Sequence, residues 1–335
     1  MQRISRIGAI GLGLVTLYAL VVTYMPNPMA AGSTDITIER GMPFDALVDA
    51  LDNAGLMRDP ISFEAYARLT GKTGSLVVGS YTIDHGASHS AILSTVTAES
   101  ESTRIKVTFP EGVTVRRIAS IAQKKLGTDS AQLVKLAHDR DFLSGIGLKA
   151  DRAEGYLMPD TYFFSEGAPA EVVLKEMASL FLGYYDDARK ARAEALDLTP
   201  YEAIILASLV EGEARTDEDR AIVAGLYLNR IRLGMLLQAD PTIQYVLPDG
   251  PRRLLYKDLE LDSPYNTYRF KGFPPTPINS PGRASIEAAL SPEKSDYIYM
   301  VAKADGSGAH VFSTNKRDHD RAVAEYRRRV SQQRD

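Results

Sequence analysis

The chain contains no cysteine among its 335 residues. Without a thiol it can build no disulfide framework, no thiolate nucleophile and no thiolate zinc site, although the absence fits any compartment. A basic excess is missing too: the formal net charge is −4, which argues against a nucleic-acid surface. Five histidines are scattered without HExxH spacing, so no metalloprotease helix is expected, and no metal or cofactor. What remains is ordinary globular material, 44% hydrophobic and 24% charged, in a length that accommodates two or three domains.

One long uncharged run is present. Residues 7–25 read IGAIGLGLVTLYALVVTYM, and as a helix rising about 1.5 Å per residue they would span roughly 28 Å, close to the hydrocarbon thickness of a bilayer. Arg3 and Arg6 precede the run, which puts the N-terminus in the cytoplasm and the rest outside. A cleaved signal peptide ending at Met29-Ala30-Ala31 is the rival, but so long an apolar core favours an uncleaved anchor. Gly8, Gly11 and Gly13 belong to that segment and form no dinucleotide fingerprint, because no strand precedes them. Residues 1–32 therefore read as cytoplasmic N-terminus, anchor and a Pro/Gly-containing linker.

Alternation over 35–39 predicts a strand, and Phe44, Leu47, Val48 and Leu51 at helical spacing predict a helix over 44–54 that stops at Gly55. A helix over 61–70, a strand at 79–83 and a helix over 90–96 complete a module spanning 33–104. Its strand–helix–helix–strand order resembles the LysM-like fold, which is associated with cell-wall glycan. Any small α/β adapter would give the same pattern. A strand at 104–109, a Pro-Glu-Gly turn at 110–112 and a helix over 115–126 with Thr114 as N-cap partly repeat that beginning.

Residues 154–164, EGYLMPDTYFF, crowd four aromatics and two acids, Glu154 and Asp160, into a stretch without period. Such a segment is either a buried irregular loop or the wall of a groove on which a sugar ring could stack. A helix over 170–192 follows. The segment LASLVEGEA, 206–214, then carries no charge until Glu211 and Glu213 flank Gly212. Thr199 as N-cap and Pro200 at the first position start this helix, and Gly212 is expected to end or kink it. At helical period Glu211 shares a face with Ile204, Ala207 and Ser208, while Glu213 points away. Apolar neighbours would raise the pKa of Glu211 toward that of a proton donor; the plain alternative is two solvated acids at a helix end. Thr216 caps the next helix, to 233, and Asp217, Glu218 and Asp219 in its first turn complement the dipole.

Downstream, 237–242, 263–268 and 272–282 are polar-aromatic loops of the kind that line functional grooves. Gln238, Asn266, Thr267 and Asn279 are their uncharged hydrogen-bonding groups, suited to sugar hydroxyls and acetamides. A hairpin (297–302 with 310–313) and a basic helix over 318–333 close the chain.

Taken in order, EGYLMPDTY at 154–162, ASLVE at 207–211, NRIRLGM at 229–235, LQADPT at 237–242, YNTY at 265–268, the loop ending Pro281-Gly282, and His310, Phe312, Asn315 and His319 resemble the endolytic murein transglycosylases of the MltG, or YceG-like, type. The resemblance implies an α+β protein: an N-terminal transmembrane helix, a small LysM-like βααβ module, and a mixed, mainly helical catalytic domain with a small β-sheet over 105–330. It implies a single-pass protein of the inner membrane with its catalytic domain outside. Its substrate would be the peptidoglycan strand, cut at MurNAc–GlcNAc bonds to leave 1,6-anhydro ends and terminate elongation. Cell-wall synthases and division proteins would be its partners. By motif position Glu211 is the catalytic acid and base, and Gln238, Asn266, Thr267, Tyr268, Glu154 and Asp160 hold substrate. One departure is Gly212, where relatives carry lysine, so a cationic neighbour is missing. A glycan-binding scaffold anchored in the membrane but without chemistry is the reading of another class, and a hydrolase using the same groove is a third.

Overall fold

The computed structural model describes residues 18, 20, 21, 23–26, 32–39, 41–77, 79–97, 104–247 and 252–332. The uncharged run at 7–25 lies largely outside them. Among the described residues no helix is long and apolar enough to cross a membrane. The chain divides after Arg104 into two compact units, each with its own core.

In the first unit β1 (Ser33–Ile38) is followed by α1 (Phe44–Asn53), α2 (Pro60–Leu69), β2 (Gly79–Asp84) and α3 (His89–Thr97). The two strands pair antiparallel with Ser33 opposite Asp84. Alternation puts Ile36, Ile38, Tyr81 and Ile83 on the buried face, where Leu47 and Leu51 of α1 and Phe63 of α2 cover them. Helix α2 starts where it does because Asp59 accepts the Ile61 amide and Pro60 needs no amide partner of its own.

The second unit runs β3 (Ile105–Phe109), α4 (Val115–Leu126), α5 (Ser130–Leu136), α6 (Arg140–Gly145), β4 (Asp160–Phe164), α7 (Ala170–Tyr184), α8 (Asp187–Glu194), α9 (Pro200–Glu213), α10 (Asp217–Arg232), α11 (Asp240–Val246), α12 (Arg283–Leu290), β5 (Tyr299–Ala302), β6 (His310–Ser313) and α13 (Lys316–Gln332). Among the described residues the protein is thus α+β and mainly helical, with a two-stranded antiparallel ladder, β1–β2, in the first unit and, where one small sheet was expected in the second, two such ladders, β3–β4 and β5–β6. The aromatic segment at 154–164 is irregular only in its first half, since 160–164 pairs with β3. The expected helix over 170–192 is two helices. Asp186 accepts the Arg189 amide at 2.9 Å and starts the second anew.

Helix α9 is the centre of this unit. It is buried at every position from Ala203 to Val210, as befits a helix that is apolar all round. Thr199 and Glu202 fix its start with a capping box. Helix α10 packs beside it through a buried run, Val223–Leu228. Thr216 occupies the N-cap position of α10, yet its hydroxyl makes no capping bond and is buried without a partner. Further along α10, a Cβ on Gly225 would stand 2.2 Å from the carbonyl oxygen of Glu293, whose amide donates to Ala221 O at 2.9 Å. Only glycine permits this backbone approach. Gly225→Ala is expected to cost about 1–3 kcal/mol through overpacking, read as a lower urea midpoint at unchanged m-value. An unchanged midpoint would contradict this packing.

Candidate active site

Four segments meet at the C-terminal end of α9: the turn at 111–113, the loop at 278–282, the first turn of α10 and the start of α11. Ser208, one turn before the end, fastens the loop. Its hydroxyl accepts the Ile278 amide at 3.1 Å and donates to Ile205 O, and its carbonyl accepts from the Asn279 side chain at 2.9 Å. Ser280 in turn exchanges two backbone bonds with the turn: its carbonyl accepts from Gly112 N and its amide donates to Val113 O, both at 2.9 Å.

This frame delivers the N-terminus of α12 to Glu211. The carboxylate Oε2 accepts from the Gly282 amide at 3.0 Å, from the Ser285 hydroxyl at 2.7 Å and from Arg220 Nη1 at 3.5 Å. Arg220 also donates to Ser285 Oγ at 2.6 Å and to Asp217 at 3.0 Å. An anion at a helix N-terminus is favoured by the unpaired amides and the dipole there. The other oxygen, Oε1, accepts no hydrogen bond from the described residues and is not among the buried atoms. The surroundings of Glu211 are therefore polar, not the apolar pocket its helical face suggests. The cation that Gly212 withholds is supplied from α10 by Arg220.

A second carboxylate, Glu111, lies beside the first. A Cβ on Gly282 would fall 1.9 Å from its Oε1, so glycine at 282 is what lets Glu111 approach. Burial raises the Glu111 carboxyl above the usual range, the charge of Glu211 adds to this, and Arg220 opposes it. Sequence reading missed Glu111, taking 110–112 as a bare turn. It also missed Arg220 and Ser285. A Pro-Gly step opening a helix with serine in its first turn was the available signal for an anion site.

Gly212 does not end the helix, which continues through Glu213. Its role is contact: a Cβ there would stand 2.7 Å from the Pro241 side chain. Glu213 is not the solvated neighbour that periodicity suggests. Its carboxyl faces Tyr227, whose hydroxyl lies 3.5 Å away, and burial followed by the charge of Asp240 pushes its pKa up to about 7. Asp240 accepts a short hydrogen bond from the Tyr268 hydroxyl. Gln238 has φ 50° and an exposed side chain, and its amide donates to Thr267 O.

Asn266 and Thr267 are placed otherwise than groove-facing groups would be. Asn266 is fully buried, donating to the carbonyls of Leu259 and Leu261 and accepting from Tyr268 N. Thr267 is 2% exposed and accepts from Ala239 N at 2.9 Å. Both shape the loops that present Gln238 and Tyr268. Asn279 is buried as well, its Oδ1 without a partner. Asp160 is exposed and pairs with Arg283 at 3.4 Å. Glu154 is buried, accepting from Val115 N at 3.0 Å and from the Tyr245 hydroxyl at 3.2 Å. Burial pushes its pKa to about 7 against those two bonds.

The profile of the YceG-like family matches residues 36–325. The endolytic murein transglycosylase of Bacillus subtilis (strain 168) is 29% identical over 309 residues, covering 88% of this chain and 85% of that protein. The endolytic murein transglycosylase of Streptococcus pneumoniae (strain ATCC BAA-255 / R6) is 31% identical over 325 residues, 87% of this chain, which spans 58% of that longer protein. A crystal structure of a putative YceG-like protein from Listeria monocytogenes superposes with a TM-score of 0.60 at 28% identity, covering 86% of this chain and 98% of the other.

Glu154 and Glu213 hold protons to about pH 7 when folded, whereas an unfolded glutamate releases its proton near the ordinary value of about 4.3. Between these pH values the folded state binds more protons. The stability each contributes is complete below the lower pH and is lost as pH rises through the upper one. The urea midpoint should therefore fall between pH 5 and pH 8. Glu154→Gln and Glu213→Gln should each flatten that fall by on the order of 1 kcal/mol; slopes identical to wild type would refute the burial of these groups.

Proposed function

Because the chain belongs to the YceG-like family, we propose that it is an endolytic murein transglycosylase with Glu211 as its single acid and base. The observation that carries the proposal is the asymmetry of that carboxylate. Three donors hold Oε2, while Oε1 accepts no hydrogen bond from the described residues and is the oxygen that would meet a substrate. In the first half of the reaction the protonated Glu211 gives its proton to the glycosidic oxygen as the bond to the anomeric carbon breaks. In the second half the resulting carboxylate takes the proton of the C6 hydroxyl, whose oxygen closes on the same anomeric carbon. The proton count balances without water, and the product ends in a 1,6-anhydro sugar. Glycosidases that hydrolyse need a second carboxylate as nucleophile or water activator; here the C6 hydroxyl takes that place. The Gly282 amide, Ser285 and Arg220 stabilise the carboxylate between the two transfers.

Gln238 and Tyr268, presented by the Asn266–Thr267 loop, hold the sugars on one side of Glu211, and Asp160 with Glu154 belongs to the opposite wall. The murein named for the relatives lies outside the cytoplasm, which supports a single-pass anchor at 7–25 with the catalytic unit beyond the inner membrane. The β1–α1–α2–β2 order of the first unit supports a LysM-like, glycan-binding module. Cell-wall synthases and division proteins are the partners this placement favours, as strand termination belongs beside strand synthesis.

Glu211→Gln keeps the size and most of the hydrogen bonds of the side chain, so the variant should fold with a wild-type unfolding midpoint. Release of anhydro-ended fragments from sacculi should drop about 10²–10⁴-fold, the usual worth of a general acid or base. Undiminished release would exclude Glu211. Absence of any cleavage by the wild-type protein would favour a glycan-binding scaffold.

A further inference from the structure

Two cavities in the second unit share a wall made by Arg152 and Tyr265. One encloses about 400 Å³ above Glu154 and the other about 560 Å³ beside Tyr201, both within the range of ligand sites. Together they form one groove whose walls include the half-buried rings of Tyr156, Tyr201, Tyr245 and Tyr265. Three cations stand on its rim, Arg116, Lys149 and Arg152, none with an ion-pair partner among the described residues. The acids of the groove offset them only in part, Arg116 and Arg152 acting on the buried Glu154 through space without an ion-pair contact. Asp151 is paired with Arg140 at 2.8 Å, and the Glu154 carboxyl is occupied by Val115 N and Tyr245. The groove therefore offers positive charge without an ion-pair contact above aromatic surface, which suits a ligand bearing carboxylates on a compact body.

Its position relative to Glu211 is fixed by covalent chain. A Cβ on Gly112 would stand 3.6 Å from the Glu211 side chain, and Thr114 lines the first cavity; two residues bridge at most about 7 Å. Thr276 lines the second cavity, and the same loop runs on to Gly282, whose amide holds Glu211. Tyr201 lies ten residues before Glu211 on α9, about 15 Å away at helical rise.

We propose that this groove is the subsite for the acidic peptide that the muramoyl sugar of murein carries, so that the enzyme selects peptide-bearing glycan over bare glycan. The inference rests on the assignment of Glu211 above. An extended peptide of four or five residues spans about 13–18 Å. Attached to the sugar at Glu211 it reaches both cavities, and its carboxylates meet Arg116, Lys149 and Arg152.

The test uses the full-length protein in detergent, wild type and Lys149→Glu/Arg152→Glu, both substituted residues being exposed. Two substrates are compared, glycan strands with their peptides and the same strands stripped by an amidase. Peptides released by that amidase are titrated separately by calorimetry. Wild type should prefer peptide-bearing strands by about tenfold or more in kcat/KM, as two charge-assisted contacts warrant. In the variant the ratio should fall to near one, and the free peptides, bound by wild type, should give no binding heat. A ratio near one in wild type, or the same ratio in both proteins, overturns the proposal. If wild type cleaves neither substrate, the transglycosylase reading on which the assignment of Glu211 rests fails. Calorimetry then decides the groove by itself: peptide binding lost in the variant upholds it, and no binding by wild type refutes it.

Discussion

A carboxylate can be held at the end of a helix with a buried apolar middle only if other backbone is brought to it, and the structure is organised around doing so. Helix α9 is buried from Ala203 to Val210, and its one hydroxyl there, on Ser208, is engaged by Ile205 O and Ile278 N, so the donors to Glu211 must come from elsewhere. The donors come from α10 and from the N-terminus of α12. They are held there because the loop before α12 is tied to α9 at Ser208 and to the turn at 111–113 through Ser280. Release of either tie would leave an ionised group at the edge of a core without its hydrogen bonds, a cost of several kcal/mol. Burial of α9 and attachment of this loop are thus one requirement.

The same arrangement gives two acids two residues apart opposite settings. Glu211 meets an amide, a hydroxyl and a guanidinium through one oxygen, and the other accepts no hydrogen bond from the described residues. Glu213 turns toward Tyr227 and Asp240, where burial and like charge keep it protonated to about pH 7. Gly212 between them lets Pro241 close against the helix end, and Asp240 with its partner Tyr268 lies near Glu213. Glycine at 282 does the corresponding thing for Glu111. Small residues here set how near the polar groups can come.

Much of the fold could be read from periodicity, because strands and helices of the first unit and the start of α9 rest on local alternation and caps. The break between α7 and α8 was hidden, since Asp186 caps by a side-chain bond that apolar spacing does not report. The pairing of β3 with β4 joins segments about fifty residues apart, and no local pattern announces it. At the candidate site, Glu211 was singled out by its place in an ordered set of motifs, whereas its neighbours Arg220, Ser285 and Glu111 were not, because each reaches it through tertiary contact. Helical period misjudged Glu213, as it ranks residues around one helix and is blind to what packs on the outside. Asn266 and Thr267 were read as polar and therefore exposed, yet long loops need buried polar groups to satisfy their own backbone.

The central claim is that one carboxylate runs the reaction, with the C6 hydroxyl of the substrate in place of water. Digestion of murein by the full-length protein in oxygen-18 water, with the products weighed by mass spectrometry, tests it most directly. The account predicts new ends that carry no oxygen-18 and are lighter by one water than hydrolytic ends. Incorporation of one oxygen-18 at each cut would contradict it.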